Sequence, residues 1–422
     1  MLIKNARILL PEVEDLIFAD VKISDGHIEC WGRELSGDDV YDANGLVLAP
    51  GFIDLHVHMR EPGAEHKGTF RTEGRAAAVG GFTHVFAMPN TSPSPDSKEH
   101  YLMIRELSKA SVVPVTLYGS VTRSIAGEVF SDIEEMAQEG CRFFSDDGAP
   151  IATEDKMIEA LERIGALGGF LAVHEEDKSY FSTGSVHRGK YAEAFCVDGI
   201  PSESEWKMIE RDLALFERYP GAKLHFCHLS TKESVDLIRE AKRKGLNVSA
   251  EVCPHHFSLT EDILVKAGTL AKVNPPIRTQ EDRTALIEGL RSGVIDIIAT
   301  DHAPHDEESK RLPMGEASFG FTGLELAFAL GNTYLVKTGE LKLPKLLRLM
   351  SEKPAEVAGL KEGKIEKGYP ADLVLLDPDE EWILQREELV SKGKNTPLNG
   401  VKLRGKVIAT MVSGRWVYES TR

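Results

Sequence analysis

Several things this 422-residue sequence lacks narrow its identity before any motif is read. No stretch approaches the roughly 18 consecutive apolar residues of a membrane-spanning helix. The start of the chain has no basic segment, apolar run and small-residue cleavage site in succession, so the expected compartment is the cytoplasm. Cysteine is scarce: Cys30, Cys141, Cys196, Cys227 and Cys253 are odd in number and include no C-x-x-C pair. That argues against both a disulfide framework and a thiolate zinc site, and buried thiols are expected. Positive charge is in deficit, with 50 Lys and Arg against 67 Asp and Glu, a formal net charge of −17 without acidic blocks. Nucleic acid and anionic membrane would both be repelled by that mean field. An anionic substrate must then meet a local basic group. Low-complexity tracts and 20-to-50-residue repeats are absent too, and the only Pro/Ser-dense stretch, Thr91 to Ser97, is short enough for a loop.

What is present is an ordinary globular composition, 42% hydrophobic and 28% charged, and enough length for one large domain and a smaller one. Eight short β-rich runs alternate with helical stretches: Phe52–Val57, Thr83–Met88, Val115–Ser120, Arg142–Ser145, Phe170–Val173, Lys223–Cys227, Asn247–Val252 and Ile295–Ala299. Between them lie segments such as Lys232 to Lys244, with Val235, Leu237, Ile238 and Ala241 on one flank, long enough for crossover helices. Eight βα units predict a closed α/β barrel of the (β/α)8, TIM-like type over residues 51–362. The ends differ. Residues 1–50 and 363–422 carry short alternating runs and turn signals such as Asp25-Gly26 and Asn44-Gly45, which predict one small β domain built from both termini.

The 14 histidines direct the functional reading, because several follow the proposed strands immediately, at the end where barrel enzymes build their sites. His56 and His58 end an apolar run two residues apart, so both side chains project to one face and can reach one ion. His174, His228 and Asp301 each stand at another strand end. Singly, such a histidine serves equally well as a hydrogen-bonded structural residue and such an aspartate as a helix cap. Four histidines and an aspartate at one barrel mouth are hard to explain without a metal, and nitrogen and oxygen ligands suit zinc or a similar ion. Asp146-Asp147-Gly148 ends a fifth strand. Two ions close together need an anionic bridge, although an Asp-Gly turn with exposed carboxylates is the bland alternative.

The segments Asp54-Leu-His-Val-His-Met-Arg60-Glu-Pro-Gly63, Ala87-Met-Pro-Asn90-Thr, Cys227-His-Leu-Ser-Thr-Lys-Glu233, Asn274-Pro-Pro, Ala299-Thr-Asp-His-Ala-Pro-His305 and Ser391-Lys-Gly-Lys-Asn-Thr-Pro397 closely resemble the type I dihydroorotases of the amidohydrolase superfamily. The resemblance runs through nearly the whole chain in the family's order. It implies two zinc ions per chain: His56 and His58 on one, His174 and His228 on the second, Asp147 bridging, and Asp301 binding the first ion and handling protons. It implies that Arg60, Asn90 and His305 hold the α-carboxylate of a small substrate and that Asn274, Phe319 and Gly320 contact its ring. The implied activity is reversible hydrolysis of (S)-dihydroorotate to N-carbamoyl-L-aspartate, the ring-closing step of pyrimidine biosynthesis. A homodimer and association with an aspartate transcarbamoylase are compatible with it. The chemistry agrees, since a cyclic imide bearing a carboxylate calls for a guanidinium fork, a Lewis acid and an activated water.

The sequence departs from the family at Glu316-Ala-Ser-Phe319-Gly320, where Arg-Ala-Pro-Phe-Gly is usual, and at Val173-His-Glu-Glu176, which lacks the cysteine that often follows the histidine. Hydantoinases, dihydropyrimidinases and allantoinase are the nearest rivals, but they bridge their metals with a carbamylated lysine, and Cys141 to Gly148 contains none. A non-catalytic scaffold subunit of the same family would be expected to have lost metal-binding histidines. The polar loop Asp306 to Ser318, joining His305 to Phe319, is expected to act as a mobile lid. The remaining histidines, including His255 and His256, are given no role.

Overall fold

The computed structural model describes residues 1–11 and 13–420. Eight parallel strand positions close into a ring: β1 (Phe52–Val57), β2 (Phe82–Ala87), β3 (Val115–Leu117, resuming at Gly119–Ser120), β4 (Phe143–Ser145), β5 (Phe170–Val173), β6 (Lys223–Phe226), β7 (Val248–Val252) and β8 (Ile297–Ile298). Neighbours in this order pair in parallel from β1 through β8, with β3 meeting β2 through its first part and β4 through its second. Closure runs from the ends of β8 and β1, where His58 N donates to His302 O at 2.8 Å and Thr300 N to Asp54 Oδ1 at 3.1 Å. Ile53, Leu55, Phe86, Tyr118, Phe170, Ala172, Ile297 and Ala299, drawn from strands around the ring, form one buried cluster, as a filled barrel interior requires.

Local chemistry explains the crossover helices. Thr231 caps the helix Lys232–Arg243 by accepting from Ser234 N, and Val235, Ile238 and Ala241 are its buried stripe. Thr279 and Asp282 make a reciprocal capping box on Gln280–Ser292, which ends at Gly293 with φ +78°. Among the described residues no helix is long and apolar enough to cross a membrane.

Strands from both ends of the chain share one sheet, in the order Arg415–Glu419, Lys402–Val412, Leu373–Ile383, Val47–Pro50, Leu2–Ile8, Ile17–Ser24, His27–Gly32, with Val40–Asp42 beside Leu2–Ile8. Asp25-Gly26 and Asn44-Gly45 have positive φ at both residues (48° and 76°, 49° and 77°), the backbone that Asn-Gly and Asp-Gly turns supply most readily. Val47–Pro50 leads into β1 through Gly51, where a Cβ would lie 2.2 Å from the Thr83 side chain. The terminal sheet is thereby joined directly to the strand that carries His56.

Candidate metal centre and substrate cavity

His56, in β1, directs Nδ1 at Glu251 Oε1 of β7, 2.6 Å away. A proton on Nδ1 satisfies the carboxylate and leaves Nε2 as a lone pair, which faces Asp147 Oδ1 at 3.4 Å and Asp301 Oδ1 at 3.6 Å. His58 repeats the pattern. Its Nδ1 meets Asn90 Oδ1 at 2.8 Å, so Nε2 turns a lone pair toward Asp301 Oδ1 at 2.9 Å and Asp147 Oδ2 at 3.5 Å. His228 Nε2 and His174 Nδ1 stand 3.6 and 3.7 Å from Asp147 Oδ1 and 2.9 Å from each other. His56, His58, Asp147, His174, His228 and Asp301 are all buried. His56 Nε2, His174 Nε2 and Asp147 Oδ1 are buried without a hydrogen-bond partner.

Acceptor facing acceptor in a dry site is repulsive unless positive charge lies between. Two ligands each about 2.1 Å from one ion stand roughly 3.0–3.5 Å apart at angles between square and tetrahedral, close to the spacings found. Two such groups, His56–His58–Asp147 and Asp147–His174–His228, share Asp147. The donor set therefore fits two cations bridged by a carboxylate.

Without a cation between them, the carboxylates draw protons onto the imidazoles: against the opposing effect of burial, Asp147 and Glu251 raise His56 well above its usual range, and Asp147 and Glu176 raise His174 to about 9, so the ring charge stands in for the positive charge the site demands. Burial opposes ionisation of Asp147, but His56, His174 and His228 outweigh it and hold the carboxyl well below its usual range. Asp301 is held at about 2, burial again being overcome by His58 Nε2, which donates to it when no cation takes that lone pair, and by the surrounding imidazoles. His228 (φ +33°), Asp301 (φ +47°) and Arg60 (φ +67°) all take left-handed backbone conformations disfavoured for side-chain-bearing residues, strain that concentrates at functional sites.

Asp146 turns away from this centre. It accepts from the backbone N–H of Val121 and Thr122 at 2.8 and 3.0 Å and from the Thr122 hydroxyl, tying β4 to β3. Burial raises its carboxyl to about 6.

Above the centre lies a cavity of about 240 Å³ whose wall includes His58, Arg60, Asn90, Asp147, His174, His228, Asn274, Asp301, His305, Phe319 and Gly320. Every residue singled out in the sequence is there except His56, which is fully buried. Arg60 Nε donates to Pro304 O and Nη2 to His305 Nε2, both at 3.1 Å. Burial and the Arg60 guanidinium push His305 down to about 2, so its ring is neutral and Nδ1 carries the proton. That Nδ1 is buried and unpartnered, a donor available to an anionic ligand.

Sequence reasoning missed Glu251. It bonds His56 Nδ1, accepts from His225 Nε2 at 3.1 Å and from His228 N at 3.1 Å, and so orients a residue of each metal group. A lone acid in the apolar run Val248–Val252 was the available signal. Glu251→Gln is expected to weaken metal binding about 10- to 100-fold, measured by competition with a chelator; unchanged affinity would show that Glu251 only packs.

The loop Asp306–Ser318 contains a short helix, Glu307–Arg311, and is tethered by two buried lysines. Lys272 Nζ donates to Met314 O at 2.6 Å and lies 4.3 Å from the centroid of the Phe319 ring. Lys310 Nζ reaches three carbonyl oxygens, two of them at Ser318 and Gly320.

A Dihydro-orotase-like family model matches residues 45–234, and an Amidohydrolase family model matches residues 214–418. The chain is 44% identical to a protein named dihydroorotase from Bacillus subtilis (strain 168), over 100% of this chain and 99% of that one. It is 44% identical to another so named from Listeria welshimeri, over 99% and 98%. In three dimensions it resembles the L-hydantoinase (dihydropyrimidinase) of Arthrobacter aurescens, with a TM-score of 0.89 and 27% identity over 100% of this chain and 96% of that one.

Proposed function

The chain belongs to the dihydroorotase family of cyclic amidohydrolases, and on that premise we propose that it interconverts (S)-dihydroorotate and N-carbamoyl-L-aspartate with two zinc-class ions. The observation that carries the metal reading is the set of inward-facing acceptors around Asp147. His56 and His58 would hold one ion with Asp301, His174 and His228 the other, and Asp147 both. When bound, such ions would supply a water of near-neutral pKa and a Lewis acid for the ring carbonyl.

The protein's own groups do the rest. Arg60, with Asn90 and His305 beside it, fixes the substrate carboxylate, which sets the ring amide over Asp301. Ionised Asp301 takes a proton from the attacking water as the new C–O bond forms, and delivers it to the ring nitrogen as the C–N bond breaks. Ring closure uses the same groups in reverse.

The fold likeness to a hydantoinase does not discriminate between substrates. Asp147 and Arg60 do, since the first replaces a carbamylated lysine and the second serves a carboxylate that hydantoins lack. A scaffold role is disfavoured by the complete ligand set.

About two zinc-class ions per chain are expected by elemental analysis, with hydrolysis of dihydroorotate preferred over hydantoin and abolished by chelation. A folded preparation that holds no metal and gains no activity from added metal would sink the enzyme reading. Preference for hydantoin would sink the substrate.

A further inference from the structure

Two segments, the loop that carries Lys310 and the C-terminal segment that carries Asn395, 75 residues beyond Gly320, meet at the carbonyl oxygen of Gly320. Asn395 Nδ2 donates to it at 2.9 Å and Lys310 Nζ at 3.2 Å. Asn395 comes from the Ser391-Lys-Gly-Lys-Asn-Thr-Pro397 motif, to which no role has so far been given. Its amide also donates to Ala303 O at 2.9 Å, while Oδ1 accepts from the His305 backbone N–H at 2.8 Å and from Thr322 Oγ1 at 2.9 Å. Two donors and two lone pairs are all used, on a side chain 2% exposed. Lys310, also 2% exposed, gives its other bonds to Ser318 O at 2.8 Å and Lys272 O at 3.0 Å. Three carbonyl oxygens match the three N–H groups of an ammonium, with no carboxylate among them.

Gly393 allows this approach: a Cβ there would lie 2.6 Å from Pro304 Cβ and 2.7 Å from His305 N. Neither Asn395 nor Lys310 lines the 240 Å³ cavity. Their partners are largely backbone atoms of residues that line it or adjoin those that do.

We propose that Asn395 and Lys310 are positioning residues of the substrate site, which lock the Gly320 carbonyl and so set the spacing between His305 and the Phe319-Gly320 pair. The proposal rests on the dihydroorotase reading, because that spacing matters for a ligand whose carboxylate sits at His305 and whose ring sits at Gly320. Both residues stand clear of the metal ligands, so their loss falls on substrate binding. The C-terminal segment then completes a site whose chemistry is carried by the barrel, and binding energy depends on a brace the substrate never touches.

The test uses the full-length, metal-loaded protein with Asn395→Ala, Lys310→Met and the double variant. KM for dihydroorotate is expected to rise about 10- to 100-fold, with kcat within about threefold and metal content at the wild-type level. Amide exchange should quicken in peptides covering 303–305 and 318–322 and not elsewhere. Because the two side chains share the Gly320 carbonyl, the double variant should lose less than the sum of the two single losses. Asn395→Asp, which keeps the Oδ1 acceptor and loses the Nδ2 donors, carries the test if Asn395→Ala does not fold. Unchanged KM in folded variants, exchange quickened throughout the barrel, or a fall in kcat with metal loss would each overturn the proposal. Should the wild type not act on dihydroorotate, the function falls, while the exchange data still decide whether the two residues lock the loop.

Discussion

Asp147→Ala is expected to lose at least about 10³-fold in activity and to stay inactive when zinc is added back in carbon-dioxide-free buffer, conditions under which the stripped wild-type protein recovers fully. The expectation follows from the position of one carboxylate. Asp147 Oδ1 lies within 3.7 Å of nitrogens of His56, His174 and His228, and Oδ2 lies 3.5 Å from His58. Two dications about 3.5–4 Å apart repel by on the order of 20 kcal/mol at an effective dielectric of about 20 without an anion between them. Alanine removes that anion. A carbamylated lysine would need carbon dioxide to reform, whereas an encoded aspartate does not, so wild-type recovery without bicarbonate is part of the result. Asp146→Ala is the comparison. Its carboxylate holds the Val121 and Thr122 amides, so that variant should lose about 1–3 kcal/mol of stability and keep its metal. Metal binding lost by Asp146→Ala and kept by Asp147→Ala would reverse the assignment, and a bicarbonate requirement in the wild type would undo the family-specific chemistry.

The same pair shows what the sequence makes legible. His56 and His58 can be read because period-two strand geometry makes neighbours in sequence neighbours in space, and Asp147 because a strand end places it at the barrel mouth. That the two adjacent aspartates face opposite sides follows from alternation, whereas the choice of Asp147 for the metal centre is what the family resemblance implies. Glu251 could not be placed in the same way. Its partnership with His56 spans 195 residues and depends on how β1 and β7 lie across the barrel, a relation set by ring closure and not by any local pattern. Asn395 is harder still, since its meaning depends on the C-terminal segment returning to the substrate loops.

The loop Asp306–Ser318 shows a different limit of the sequence. Its polar composition suggests a lid, and the structure adds what composition does not show, that Lys310 is buried and gives its side-chain N–H groups to backbone carbonyls. Lysine normally signals surface, and only the packed structure shows it as an internal tether. The left-handed backbone at Arg60, His228 and Asp301 was likewise invisible, because nothing in the residue types announces a conformation that the surrounding contacts impose.

Arg60→Lys is expected to raise KM for dihydroorotate about 10- to 100-fold, the scale of losing charge-assisted hydrogen bonds, while hydrolysis of the same ring without its carboxylate changes by no more than about threefold. The charge is retained, so the loss isolates geometry. Arg60 Nε is engaged by Pro304 O and Nη2 by His305 Nε2, which leaves Nη1 and the second N–H of Nη2 without a hydrogen bond among the described residues. A planar fork braced at two points can meet both oxygens of a carboxylate, whereas an ammonium on a flexible stem offers a point charge and gives up at least one brace. The second consequence runs through His305. Its Nε2 accepts from Arg60, which fixes the tautomer with the proton on Nδ1; without that donor the ring is free to turn, and the neighbouring contact to the anion weakens with it. The measurement is a comparison of kcat and KM for the two substrates in wild type and variant, with metal content as control. Equal losses on both would show that Arg60 braces the Pro304–His305 loop and does not read the carboxylate. A loss confined to the carboxylate-bearing substrate would identify Arg60 as the group that lets a chain of net charge −17 select an anion.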